Sequence, residues 1–171
     1  MTMKQYLLTL FCVLSLFSCQ NQSRYTTSSP EIDIAKEHLL AYENGDWKVW
    51  KEQYTDSSKI YHNDWDKALT SDEALTGHLL IISYLSSYEY IDDPIFFEMT
   101  IDDDGKKWVN FWGVWQGRIA DTETLLKIPV HLSIHYVDGK VAEEYGFWDT
   151  NKLMEALNNV SMEQAETANP E

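Results

Sequence analysis

Cysteine is almost missing from this 171-residue chain: only Cys12 and Cys19 occur, both near the N-terminus. The residues after Cys19 therefore form no internal disulfide and offer no thiol nucleophile. Positive charge is scarce as well. Thirteen Lys and Arg stand against 28 Asp and Glu, for a formal charge of −15. A surface this acidic repels phosphate backbones, so nucleic acid is not an expected partner. Common reactive motifs are missing too. No glycine pattern supports a phosphate loop, no serine sits in a nucleophile elbow, and HExxH does not occur. His131 and His135 are four apart, a zinc spacing on a helix. On a strand it spans ~13 Å, too far for two ligands sharing one ion. Asp102-Asp103-Asp104-Gly105 lacks the calcium-loop spacing and reads as a turn. Neither a metal nor a cofactor is expected.

What is present begins with an apolar run. Lys4 precedes Tyr6 to Phe17, and Ser18-Cys19 follow. The run is short for a membrane span of ~20 residues but suits the core of a secretory signal. The stretch LFSC, Leu16 to Cys19, resembles the lipobox of bacterial lipoproteins. That resemblance implies removal of residues 1–18 and lipidation of Cys19, with the membrane reached through the lipid alone, in the cell envelope on the periplasmic side or outer surface. A plain secretory signal with an incidental cysteine is the other reading. Residues 19–30 then form the lipidated cysteine and a polar, Ser/Thr-rich tether. The folded domain is expected over 31–158, with 159–171 as a flexible tail.

Hydrophobic spacing predicts helices first. Ile32, Ala35, Leu39 and Tyr42 recur at helical intervals after Ser29-Pro30, and Asn44-Gly45 ends the run. Trp47, Trp50 and Tyr54 share one face of a short second helix, and Lys59 to His62 reads as a brief strand. A third helix opens at Thr70, with Glu73 completing a capping box and a stripe of Leu75, Leu79, Ile82 and Leu85. The period then becomes two from Ile95 onward. Strands are expected over 106–119, 126–137 and 140–148, with turns at Asp103-Asp104-Gly105 and Asp138-Gly139 and a final helix capped by Asp149. Helices followed by an antiparallel meander indicate an α+β fold.

Alternation assigns the faces. From the Asp138-Gly139 turn, Tyr136 is expected opposite Val141, Ile134 opposite Glu143, Leu132 opposite Tyr145, and Val130 opposite Phe147. Val109, Phe111, Gly113 and Trp115 join that apolar face, which should pack on the helices. The other face collects Trp108, Asn110, Trp112, Gln116, His131, Ser133, His135 and Glu144. It is too aromatic for bare solvent and too polar for a core, as in interface centres. Trp108, Trp112, His131 and His135 are therefore expected to form a homodimer or partner face. One β-bulge would swap part of this assignment.

The order of elements, with Gly45-Asp46-Trp47, Tyr54-Thr55-Asp56, Asp138-Gly139-Lys140-Val141 and Trp148-Asp149, resembles the SnoaL-like branch of the nuclear transport factor 2 (NTF2)-like superfamily over about residues 31–157. The resemblance implies a cone in which a curved antiparallel sheet wraps three N-terminal helices around a pocket, often dimeric through the outer sheet face. In its ketosteroid isomerase-like members, a general base falls at the place of His62 and a tyrosine donor at that of His38. A protonated aspartate falls at Leu132 and a pocket tryptophan at Trp148. Leucine cannot donate, so that oxyanion hole is not reproduced.

A histidine side chain can act as a base near neutral pH, and His62 is the candidate, although it could simply hydrogen-bond Asp64 or a water. His38 could likewise be a satisfied, partly buried side chain. The expected pocket comprises His38, Tyr42, His62, Trp115 and Tyr145, with Trp148 by resemblance. The missing donor favours a module that binds a small apolar molecule or a protein partner without catalysis. The other reading is a cofactor-free isomerase, cyclase or dehydratase using His62 as general base.

Overall fold

The computed structural model describes residues 23–168, and side chains through residue 159. The signal segment and Cys19 lie outside the described residues. The chain runs β1 (Tyr25–Thr26), α1 (Pro30–Glu43), α2 (Trp47–Glu52), β2 (Tyr54–His62), α3 (Ser71–Ile82), β3 (Leu85–Tyr90), β4 (Phe96–Ile101), β5 (Lys107–Ile119), β6 (Leu125–Val137), β7 (Lys140–Trp148) and α4 (Asn151–Ala168). Among the described residues the fold is α+β, a curved, unclosed sheet with four helices, the cone expected from the sequence.

The sheet order is β1-β4-β5-β6-β7-β2, with β3 also paired to β5. β4 pairs with β5 over Lys107–Trp112 and β3 pairs with it over Trp115–Ile119, so the two short strands share one edge of the long one. Every pairing is antiparallel except β2 with β7. Residues 25–26, read from sequence as tether, instead pair with β4. α4 continues through residues read as a loose tail, to Ala168.

Local chemistry sets the helix ends. Ser29 caps α1 by accepting from the Ile32 amide, with Pro30 in the first turn. Asp46 caps α2 and Thr70 caps α3 in a full capping box with Glu73. Tyr54 is not on α2: it opens β2, yet its ring still packs on Trp50 with centroids 4.6 Å apart. The buried stripe of α3 also differs from expectation. Ala74 is buried and His78 and Ile81 line the interior, while Leu79 is 42 % exposed and Leu85 belongs to β3.

Alternation along β5 holds. Val109, Phe111, Trp115 and Ile119 are buried, while Trp112 on the opposite face is 45 % exposed. The inner aromatics fold over glycines. A Cβ on Gly113 would lie 2.4 Å from the Phe111 ring, and one on Gly117 2.2 Å from that of Trp115. The glycines of this aromatic run are therefore the spaces into which its inward rings tilt.

The register between β6 and β7 is where the expected faces fail. Tyr136 does pair with Val141, but His135 pairs with Glu143, Ile134 with Glu144, Leu132 with Gly146 and Val130 with Trp148. Ala142 is the extra residue of a β-bulge. Beyond it every side chain of β7 changes face. Glu144, expected outside, is inside and 3 % exposed. Tyr145, expected in the pocket, is outside, its ring stacked on Tyr61 at 4.8 Å.

Candidate functional site

The concave side of the sheet and the helices enclose a cavity of about 110 Å³. The structure brings His38 and Tyr42 (α1), His62 (β2), Trp115 (β5) and Trp148 (β7) to its wall, together with Glu144 and His78. Ile128, Val130 and Leu132 make the β6 side apolar. Tyr145 is the expected pocket residue that does not reach it, because of the Ala142 bulge.

The polar groups form one chain. Glu144 Oε1 lies 3.1 Å from His62 Nε2, and Oε2 lies 2.7 Å from the Tyr54 hydroxyl. Tyr54 in turn contacts His38 Nε2 at 3.1 Å. Burial by itself would raise the Glu144 carboxyl. The hydrogen bond from His62 and the charge of that ring lead the opposing causes and hold Glu144 at about 2. An ionised carboxylate only accepts, so His62 Nε2–H and Tyr54 O–H both donate to it. Burial, and then the Glu144 charge, push the Tyr54 phenol well above its usual range, so the proton stays on oxygen. With that proton directed at Glu144, His38 donates Nε2–H to Tyr54. His38 Nδ1 is then a buried acceptor without a partner.

His62 is held by its neighbours as much as by Glu144. It pairs with Gly146 across the parallel β2–β7 seam. Asn63, at φ 52°, ends β2 by donating its amide to Gly146 O and accepting from Trp148 N at 3.0 Å. Gly146 leaves the space that this packing requires. A Cβ there would lie 2.5 Å from Trp148 and 3.1 Å from His62. Trp148 packs on His62 with centroids 4.8 Å apart. Asp64 does not orient His62, since its carboxylate accepts from the Asp66 and Lys67 amides.

Glu144 and His78 are the site residues that the sequence reading misses. Glu144 needs the bulge. For His78 a signal exists: it lies four residues after Ala74 and three before Ile81, on the buried side of α3. Its ring centroid is 5.4 Å from that of His62 and 5.2 Å from that of Tyr42. Burial lowers its pKa to about 4, with the charge of His62 acting in the same direction and Glu144 opposing. Burial also lowers His38, again against Glu144. Among the described residues, no group of three or more His, Cys, Asp or Glu is arranged to hold a metal ion.

The outer sheet face carries a second aromatic group. Trp112 stacks on His131 at 3.9 Å, and His131 lies nearly parallel to Phe147 at 6.3 Å. Trp108 packs on His135 and Tyr145. Trp65, 70 % exposed, lies against Tyr145 and Phe147.

No family model matches the chain, and no curated protein matches it in sequence. Solved structures do share its fold. A putative SnoaL-like polyketide cyclase from Shewanella denitrificans OS-217 is 13 % identical, with TM-score 0.58 over 77 % of this chain and 99 % of its own. IdmH, a putative polyketide cyclase from Streptomyces antibioticus, is 12 % identical, with TM-score 0.61 over 76 % of this chain and 99 % of its own. An NTF2-like protein from Burkholderia xenovorans LB400 is 20 % identical, with TM-score 0.56 over 77 % of this chain and 98 % of its own.

Proposed function

We propose that this cavity takes a small, largely apolar molecule and moves a proton on it without a cofactor, with His62 as general base. The observation that carries the reading is Glu144, an ionised carboxylate 3 % exposed and hydrogen-bonded to His62 Nε2. Burying a charge costs several kcal/mol unless it is paired. Here the pairing fixes the His62 tautomer, leaving Nδ1 as the basic nitrogen. A proton accepted at Nδ1 makes an imidazolium 3.1 Å from the carboxylate, in surroundings of low dielectric. His62 can then return that proton to a second atom of the same molecule. Isomerisation, ring closure and loss of water all take this form. The sequence alone favours binding without catalysis because Leu132 cannot donate. A partly buried, oriented base shifts the balance toward turnover.

Binding without turnover is the second reading, and Leu132 on the cavity wall is the observation in its favour. Conversion of 3-cyclohexen-1-one to its conjugated isomer, followed by ultraviolet absorbance, separates the two. Catalysis requires turnover by the wild type and a loss of about 10²-fold or more in His62→Gln and Glu144→Gln. Wild type that binds the ketone and leaves it unchanged supports simple binding.

Two further parts of the reading rest on the sequence. The LFSC stretch supports lipidation at Cys19 and attachment to the cell envelope. Labelled fatty acid should attach to wild type and not to Cys19→Ala. The outer face of Trp108, Trp112, His131 and His135 supports a homodimer, because an exposed aromatic surface of this extent is a common site of association.

A further inference from the structure

The folded domain begins close behind Cys19. Ser23 Oγ donates to Tyr25 O at 2.6 Å, and Tyr25 and Thr26 pair with Thr100 and Met99 of β4. Arg24 is held twice. Its carbonyl accepts from the Ile101 amide at 2.9 Å, and its guanidinium pairs with Asp103 at 2.5 Å. Residues expected as tether are therefore part of the sheet. Four residue steps separate Ser23 from Cys19, and four steps span at most ~14 Å.

The chain enters the domain at one end of the sheet. β1 runs antiparallel to β4, so Arg24 lies beside the hairpin of Asp102 to Gly105 and not beside Phe96. The cavity lies toward the other end. Trp115, on its wall, follows Lys107 by eight residues of β5, ~26 Å at strand rise, and pairs with Ile128 of the same wall. α1 has the same polarity. Glu31 in its first turn pairs with Lys107 at 2.6 Å, whereas His38 and Tyr42 of the cavity wall lie ~10 and ~16 Å further along the helix. On β2, Tyr54 pairs with Val141 next to the second hairpin, and His62 lies at the far end of the strand.

We infer that the protein stands on the membrane by the hairpin end of its sheet, with the cavity half turned away from the bilayer, so that the cavity draws its molecule from the aqueous side and not from membrane lipid. The inference rests on lipidation of Cys19. With the acyl chains inserted, Ser23 is confined to ~14 Å from the anchored residue. Tyr25, six residues after Cys19 and 51 % exposed, is carried to the interface, where an aromatic body with a polar tip is favoured.

Charge does not set this pose. Arg24, Lys106 and Lys107 at the hairpin end face Asp103, Glu143 and Glu31. The chain as a whole carries a formal charge of −15, which anionic headgroups repel. The short connection between lipid and β1 sets it instead.

After Cys19 the chain has no cysteine, so one introduced into the lipidated protein can be labelled alone. Asp104→Cys places a fluorophore on the hairpin. Met154→Cys places one on α4, next to Leu153 of the cavity wall, and both native residues are exposed. In phosphatidylcholine vesicles with nitroxide-bearing headgroups, the Asp104 label should lose most of its emission and the Met154 label little. Inserting about 20 Gly/Ser residues after Gln22, a coil of ~25 Å, should bring the two losses together. Equal quenching at the native length, or stronger quenching at Met154, overturns the inference. A difference that survives the insert also overturns it, because the domain surface and not the connection would then set the pose. Labelled fatty acid, followed on the same samples, separates this inference from its premise. Uptake with equal quenching leaves the anchor standing, whereas no uptake by wild type removes both.

Discussion

Tyr54 donates its hydroxyl to Glu144 Oε2 at 2.7 Å, joining the first residue of β2 to the inner face of β7 across ninety positions of sequence. The same oxygen accepts from His38, so one hydroxyl serves two buried polar groups. Tyr54→Phe should therefore cost more than a single exchanged hydrogen bond. It leaves a lone pair of Glu144 and the His38 N–H unsatisfied, at roughly 1–3 kcal/mol for each buried group. Denaturant unfolding should show a midpoint lowered by that order, with little change in slope. An unchanged midpoint would mean that water replaces the hydroxyl.

Acid stability follows from the two cavity histidines His38 and His78. Folded His38 and His78 have lowered pKa values, His78 about 4, so the unfolded chain binds more protons below the ordinary histidine value. Stability then falls as pH drops from about 6.5 toward 4, by up to about 3 kcal/mol from His78. Glu144 acts in a lower window. Its pKa is depressed to about 2, so its contribution is present above the ordinary carboxyl range and is lost as pH falls toward that value. Urea melts across this range should show the slope, and His78→Phe should flatten the part between pH 6.5 and 4. An equally steep profile in that variant would assign the effect to other groups.

Gly146→Ala tests how His62 is held. The added methyl would sit 2.5 Å from Trp148 and 3.1 Å from His62, so one ring must move. Overpacking of this kind costs about 1–3 kcal/mol. Loss of ligand binding out of proportion to loss of stability is expected, read by titration calorimetry beside thermal melts. A variant that binds 3-cyclohexen-1-one as wild type does would show that the wall yields freely.

Trp112→Glu addresses the outer face. Trp112 stacks on His131 and remains 45 % exposed, and charge at that point opposes burial against a second copy. Sedimentation should find a wild-type dimer at micromolar concentration and a monomeric or poorly soluble variant. A wild-type monomer under those conditions removes the proposed interface.

The sequence by itself determined the starts of α1 and α3, the hairpin turns and the strand parity of β5 and β6. Each follows from a local rule. Ser29 and Thr70 satisfy amides three residues away, Gly105 and Gly139 adopt positive φ, and side chains alternate along a strand. His62, His38, Tyr42, Trp115 and Trp148 were placed at the cavity by these rules and by family resemblance together. What only the tertiary structure decided lies beyond Ala142. Parity counted from the Asp138-Gly139 turn puts Tyr145 inside and Glu144 outside. The bulge reverses both, and no composition or period marks it. Pairing with β2 also matters: it sets His62 opposite Gly146 and brings Tyr54 to Glu144. His78 reaches the cavity because α3 turns Ala74 and Ile81 inward rather than Leu79, a choice of face that its sequence spacing allows but does not fix. Periodicity reports which faces a segment has, because backbone geometry repeats. Which face meets the core, and where one extra residue interrupts the repeat, is decided by contacts between segments distant in sequence.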